Sequence, residues 1–364
     1  MPHQNLLSAP ALIVGGGPAG SAAAITLARG GTRTLLLERT RDTGDAICGG
    51  FLSWRSLETL DRLGVEADAL NRERVTRARL FAGDALLEAA LPRPAVGVSR
   101  RRMDTLLLAR AAEVADIERG VSVRAVEGDT LRLADGATMT ADTLFLATGK
   151  HDLRGLPRPA VAGDPTIGLR IRLGAAPALD RLVNDAIELH LFPRGYAGLV
   201  RQEDGSANLC LAVRRSRLAE AGDPRALLQQ LGREHPRLGE RLAFADWSVP
   251  VDAIANVPYG WRQRHGAAGL FRLGDQAGVI PSLAGEGMGI ALASGVSAAA
   301  AYAEGGPAAA IPWQPRFARA TARPIGLATL IRDLAEGRAA PAAVRLAPAA
   351  LIGLVARATR IAPA

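Results

Sequence analysis

Gly15, Gly17 and Gly20 stand in the spacing G-x-G-x-x-G between the apolar run ALIV and an alanine-rich stretch. Missing side chains at such positions permit a tight turn, the approach of a pyrophosphate to bare backbone, and close packing of the helix that follows. Pro18 and Ala19 open that helix, whose N-terminal N–H groups face the phosphates. Glu38 ends the next apolar run, eighteen residues after Gly20, where a carboxylate can accept from both ribose hydroxyls, with Arg39 beside it. This is the chemistry of dinucleotide binding. The side chains with thiol or acid–base chemistry are Cys48, set before Gly49-Gly50, together with His190 and Tyr196. For Cys48 the plainer alternative is a small buried thiol, and for His190 a hydrogen-bonded filler.

The elements that must position these groups follow from the pattern. Residues 11 to 38 read as strand, glycine turn, helix, turn and second strand, a βαβ unit. ADTLFLATGK at 141–150 reads as an apolar strand ending in Ala147-Thr148-Gly149. LFRLGDQAGVIPSLAGEGMGIALASG at 270–295 holds Gly274-Asp275, Pro281 and the run Gly285-Glu286-Gly287-Met288-Gly289 at a helix start. Small residues and free N–H groups there can approach an anionic group. VSRRRMDTLLLARA at 98–111 reads as a strand end leading into an amphipathic helix.

In this order the segments resemble FAD enzymes of the aromatic hydroxylase and geranylgeranyl reductase superfamily, over roughly residues 10 to 305. The resemblance implies that Asp275 meets a ribityl hydroxyl, that Pro281 lies beside the flavin ring, and that Gly285, Gly287, Met288 and Gly289 border its pyrimidine edge. It also implies that Ala147, Thr148 and Gly149 belong to the cofactor site and that an arginine at the head of 98–111 contacts FAD. Arg100 aligns best, with Arg101 and Arg102 adjacent. Cys48-Gly49-Gly50 resembles the reductase element that brings a cysteine to the reacting face of the flavin, and Tyr196 resembles a pocket tyrosine. Two departures stand out. Gly149-Lys150-His151-Asp152 replaces an Asp-Gly pair usual in hydroxylases, and Gly198 occupies a position where reductases carry a tryptophan. NAD(P)H is expected only as a visiting electron donor, since no second glycine fingerprint is present.

The implied activity is that of an FAD-dependent oxidoreductase on a small hydrophobic molecule. The first reading is NAD(P)H-driven hydroxylation of an aromatic or polyketide substrate; the second is reduction of isoprenoid or lipid C=C bonds. A third reading, from a different class, is a non-catalytic flavin-fold protein that binds lipid. Retention of Gly274-Asp275 and the glycine loop speaks against it.

The expected fold is α/β, a Rossmann-like FAD-binding domain of glutathione reductase type with an inserted antiparallel substrate sheet and a C-terminal helical cap. The FAD-binding domain is assigned to residues 1–72, 95–155 and 253–305, the substrate domain to 73–94 and 156–252, and the helical cap to 306–364. RLVNDAIELHLF, GYAGLV and ANLCLAV read as strands of the insert, with Glu188, His190 and Phe192 on one face.

Composition narrows the partners. The 364 residues carry a net charge of +8, yet Lys150 is the only lysine and the arginines are scattered; with 4% aromatics this argues against a nucleic-acid surface. Two cysteines, Cys48 and Cys210, argue against a disulfide framework and leave a reducing, cytoplasmic setting as the expectation. His3, His151, His190, His235 and His265 lack paired-ligand spacing, so no metal site is expected. No signal segment is read at the N-terminus. RLAPAALIGLVARATRIA, from residue 345, is too short to span a bilayer; it reads as a helix packed on the core, or else as a contact with a membrane surface or lipid. Oligomeric state has no signature in the sequence.

Overall fold

Ala11–Val14, Thr34–Glu38, Asp116–Arg119, Leu144–Leu146 and Leu270–Arg272 form a parallel sheet in the computed structural model, which describes residues 11–361. His3 and the segment on which the signal-peptide reading rests lie outside the described residues. Ala11–Val14 is central, flanked by Leu144–Leu146 and Thr34–Glu38. Period-two geometry divides its side chains between two cores. Ala11 and Ile13, with Leu36 and Phe145, face a helical layer; Leu12 and Val14, with Leu35, Leu37, Leu144 and Leu146, face a three-stranded antiparallel layer of Val123–Glu127, Thr130–Leu133 and Thr138–Thr140.

The helical layer is built for close approach. Helix Pro18–Arg29 begins with proline at its first turn, where no N–H bond is lost, and packs on Gly287–Gly305. A Cβ on Gly295 would stand 2.3 Å from the Ala19 carbonyl oxygen, so glycine there sets the spacing of the two helices. Because both helices start at loops beside the sheet's strand ends, this contact fixes the two glycine loops relative to each other.

A second, eight-stranded sheet runs in the order Asp252–Ile254, Thr166–Leu173, Ala207–Arg214, Gly195–Arg201, Ala186–Phe192, Val75–Ala82, Ala85–Gly97, Phe51–Leu52. It is antiparallel except where Ala186–Phe192 pairs with Val75–Ala82. Phe51–Leu52 lies outside the segments 73–94 and 156–252, and Ala85–Gly97 and Asp252–Ile254 run past their ends. The expected strand over RLVND is instead helix Pro177–Val183, where Pro177 occupies the first turn and Leu179 and Val183, one turn apart, are both buried. One sheet face is covered by Pro224–Glu234 and Pro236–Leu242. The other, with Tyr196, Leu191 and Ala212, meets the C-terminal helices at Ala335, Ala340 and Val344.

The stretch from 345, read as one helix, is two. Ala340–Leu346 stops before Pro348, Ala350–Ala358 starts after it, and the axes differ by 111°. Proline cannot continue the helix and biases the preceding residue away from it. Among the described residues no single helix is long and apolar enough to cross a membrane.

Candidate functional site

The turn after Ala11–Val14 is held by contacts only glycine allows. Gly15 has φ +107°, and a Cβ on it would lie 2.4 Å from the Ala147 carbonyl oxygen; a Cβ on Gly20 would lie 1.9 Å from the Gly15 carbonyl oxygen. The first helical turn is thereby folded against the strand, with Gly17 nearest the Arg100 guanidinium. Glu38 reaches back across the turn: its Oε2 accepts from the Gly16 N–H at 2.8 Å, and Oε1 accepts from Thr40 N and Oγ1. Arg39 turns the other way and bonds the His151 ring at 3.0 Å.

Of the three consecutive arginines, only Arg100 faces this turn. Its Nε and Nη2 bond Asp104 at 2.9 and 2.6 Å, whereas Arg102 binds the Ala69 carbonyl and the Arg101 N–H donates to Asp45. Burial opposes the charge on Arg100, but Asp104 outweighs it, and Cys48 and Asp275 act in the same sense. Arg100 is therefore a permanent cation at the junction of the glycine turn, the Cys48 loop and the Gly274-Asp275 turn.

Lys150 ties those parts together. Its Nζ donates to the Ile47 carbonyl at 3.0 Å and lies 3.8 Å from Asp275 Oδ2. Gln276 completes the link by donating to the Gly149 carbonyl at 2.9 Å, and Thr148 Oγ1 bonds the His151 carbonyl. Gly274, at φ +55°, lets its strand turn under helix Gly287–Gly305, with its N–H on Ser294 Oγ at 2.8 Å.

The loop carrying Cys48 is clamped from the second sheet. Asn208 Nδ2 donates to the Cys48 and Gly49 carbonyls at 2.8 and 3.0 Å, and Cys210 Sγ donates to the Cys48 carbonyl at 2.9 Å. Burial, then Cys48, pushes the Cys210 thiol up to about 12, so it stays protonated and keeps donating. Asp45 pairs with Arg170 and Arg172; burial raises its pKa, but the two cations outweigh that and hold it below the ordinary range. The backbone of Cys48 is thus fixed while its side chain remains partly exposed.

The opposite loop is fixed from the C-terminus. Glu286 is fully buried, accepting from Ser53 Oγ at 3.0 Å, from the Ile361 N–H at 3.2 Å and from Arg360. Arg360 also binds the Ala284 and Gly285 carbonyls at 2.7 and 3.1 Å, and its guanidinium lies over the Phe51 and Trp54 rings. Gly285 is left-handed against Phe51, and a Cβ on Gly289 would meet the Glu286 carboxylate at 2.4 Å. Gly287 faces open space at the helix start, as Gly49 and Gly149 do in their loops. Pro281 leads into Ser282, whose Oγ bonds both Tyr196 at 2.7 Å and Tyr259 at 3.2 Å. Burial pushes the Tyr196 phenol up to about 12, leaving a neutral, polar-tipped wall beside Pro281.

His190 is not brought to this site. It pairs with Ala197, while Tyr196, Gly198 and Cys210 lie on the alternate side of the strands, so His190 faces the helices Pro224–Glu234 and Pro236–Leu242. There it stacks on Phe81 at 4.6 Å and bonds Glu188 at 3.3 Å, and Glu188 is bound by Arg241. Burial lowers the pKa of His190. Burial raises Glu188, but His190 and Arg241 outweigh it and hold the carboxyl at about 2. Both groups bind protons less readily folded than unfolded, so stability is full above about pH 6.5 and is lost as the pH falls. His190→Gln should flatten the upper part of that acid slope in thermal melts while leaving turnover unchanged.

Lys150, Asn208, Ser282 and the Glu286–Arg360 pair escape a reading of the sequence alone. Only Lys150 carries a signal, as the one lysine among arginines.

The geometry supports a dinucleotide. A family model for an FAD binding domain matches residues 8–154. Over 320 residues the chain is 27% identical to digeranylgeranylglycerophospholipid reductase 2 of Methanopyrus kandleri, spanning 80% of this chain and 76% of that protein. It is 27% identical over 328 residues to menaquinone reductase of Mycolicibacterium smegmatis, spanning 82% and 77%. The crystal structure of a flavoprotein/dehydrogenase from Cytophaga hutchinsonii superposes with a TM-score of 0.80 at 17% identity, over 96% of this chain and 92% of that one.

Proposed function

We propose that this FAD-dependent oxidoreductase, which resembles the aromatic hydroxylase and geranylgeranyl reductase superfamily, reduces a C=C bond of an isoprenoid or related lipid. The observation that carries this reading is the Cys48 loop, whose carbonyls are clamped by Asn208 and Cys210 while the thiol stays accessible near Arg100. Fixing a backbone so firmly around a free thiol suits a group that must deliver a proton to one place. The relatives that match along most of their length, named as reductases of lipids and quinones, support it. Hydroxylation, the first expectation from sequence, has no such fixed group of its own here.

When bound and reduced, FAD supplies a hydride. The Gly15–Gly20 turn and Arg100 would hold the phosphates, Glu38 the adenosine ribose, and Asp275 with Lys150 the ribityl chain. The N–H groups of Gly287, Met288 and Gly289 would border the flavin ring edge and favour negative charge there. Cys48 gives its proton to the second alkene carbon and regains one from water through its exposed side. Tyr196, Tyr259 and Ser282 satisfy one another, so that wall offers the substrate a neutral, largely apolar surface. A nicotinamide nucleotide is the electron source proposed, visiting and leaving.

The test is product mass. Holoenzyme supplied with reductant and a short prenyl alcohol without air should give a product heavier by two hydrogens. Cys48→Ala should slow its formation by on the order of 10²-fold, the worth of one positioned acid. A product gaining one oxygen, formed only in air and at the same rate in the variant, would replace reduction with hydroxylation.

A further inference from the structure

The C-terminal helices expose apolar side chains that nothing in the fold covers. Leu346 is 83% exposed at the end of Ala340–Leu346, and Leu351 and Leu354, 42% and 61% exposed, share a face of Ala350–Ala358. The turn between them is Ala347-Pro348-Ala349, itself without a polar side chain, so the 111° bend ends in an apolar tip. Leu330 and Leu334, one turn apart on Ala322–Ala335, are 59% and 57% exposed on a helix in contact with Ala350–Ala358. Scattered exposed leucines need no explanation, but a cluster at one corner of a fold does.

Charge identifies the occupant. From Gly337 to the end the chain has no Asp or Glu, and Arg338, Arg345 and Arg357 are exposed around the tip. The Leu346–Leu354 tip is flanked by Arg338, Arg345 and Arg357, with the nearby acid Asp333, beside Leu334, already paired to Arg332; that pattern matches a bilayer surface of anionic lipid, where leucines enter the acyl boundary and arginines meet phosphates. A second protein surface would have to bury three like charges without partners of their own on this side. The tip also leads to the site. Val344 and Ala340 pack in the same cluster as Tyr196, and Arg360, just past the second helix, binds Glu286 beside Gly287.

We propose that the Leu346–Leu354 tip docks on the surface of an anionic lipid bilayer and brings the enzyme to its lipid substrate. This rests on the lipid-reductase reading and adds the place where that substrate is met.

The experiment is sedimentation of the yellow holoenzyme with vesicles of phosphatidylcholine containing phosphatidylglycerol, following flavin in the pellet. Wild type should pellet with them, and Leu346→Glu/Leu351→Glu should lower the bound fraction at least tenfold. Val249→Glu, an exposed apolar site between Trp247 and Val251, which pack with the helices on the other face of the large sheet, should leave it unchanged. Flavin content and anaerobic turnover of a short prenyl alcohol, equal in all three proteins, show that each is folded. Failure of wild type to pellet, or pelleting unaffected by the double variant, overturns the proposal, as does a dimer in sedimentation velocity that the double variant splits in the absence of vesicle binding. Turnover of the short alcohol without vesicle binding would sink the docking surface and leave the reductase; vesicle binding without turnover would do the reverse.

Discussion

Gly20→Ala will lose FAD. The new Cβ would stand 1.9 Å from the Gly15 carbonyl oxygen and 3.1 Å from the Ile13 side chain, both in parts of the turn that cannot yield. Relief requires the first turn of Pro18–Arg29 to move off the strand, which pulls Gly17 and the helix's free N–H groups away from Arg100. It also breaks the contact at Gly295 that registers this helix against Gly287–Gly305. Flavin carried through gel filtration should fall more than tenfold, with a stability loss of about 1–3 kcal/mol typical of overpacking. Gly326→Ala makes the contrast. It lies in the helix Ala322–Ala335 with nothing within 4 Å of the added carbon, so it should gain about 1 kcal/mol in denaturant titration and keep its flavin.

The second large effect belongs to Arg360→Ala. Removing the guanidinium strands the Glu286 carboxylate at zero exposure and frees the Ala284 and Gly285 carbonyls. Breaking a buried pair from one side costs about 3–5 kcal/mol, because the remaining charge is left without a partner. The loss should depend on pH. Burial already raises the Glu286 pKa, with Arg360 pulling the other way, so the variant's carboxyl takes up a proton more readily still. Protonation relieves the stranded charge, and the gap in stability between variant and wild type should narrow as the pH falls. Flavin absorbance should shift as well, since the freed loop carries Gly287. Arg360→Lys, a point charge without the planar fork, should recover only part of either effect.

The sequence made legible what local rules govern. The glycine turn and Glu38 could be read because turn, helix and acid occur within 28 residues, each dictated by backbone geometry. The alternation in AIELHLF correctly put Glu188, His190 and Phe192 together, yet could not say which face met the site. That depends on Arg241, 53 residues from Glu188, and on Phe81 from a parallel strand. RLV is helix and not strand because Pro177, four residues upstream of Arg181, starts a helical turn that buries Leu179 and Val183 before the apolar run begins. Arg360 and Glu286, 74 residues apart, have no periodic relation at all; only the turn at Pro348 sends the chain back to meet the loop. Lys150 was visible in composition but not in role, since Asp275 and Ile47 reach it only once the parallel sheet has formed.

The central claim is tested most directly by mixing photoreduced holoenzyme, without air, with a prenyl lipid and following the return of oxidised flavin absorbance. Reduction of a C=C bond predicts reoxidation matched mole for mole by a product carrying two more hydrogens, and slowed in Cys48→Ala. Flavin that stays reduced until oxygen is admitted, and then yields an oxygenated product, would contradict it.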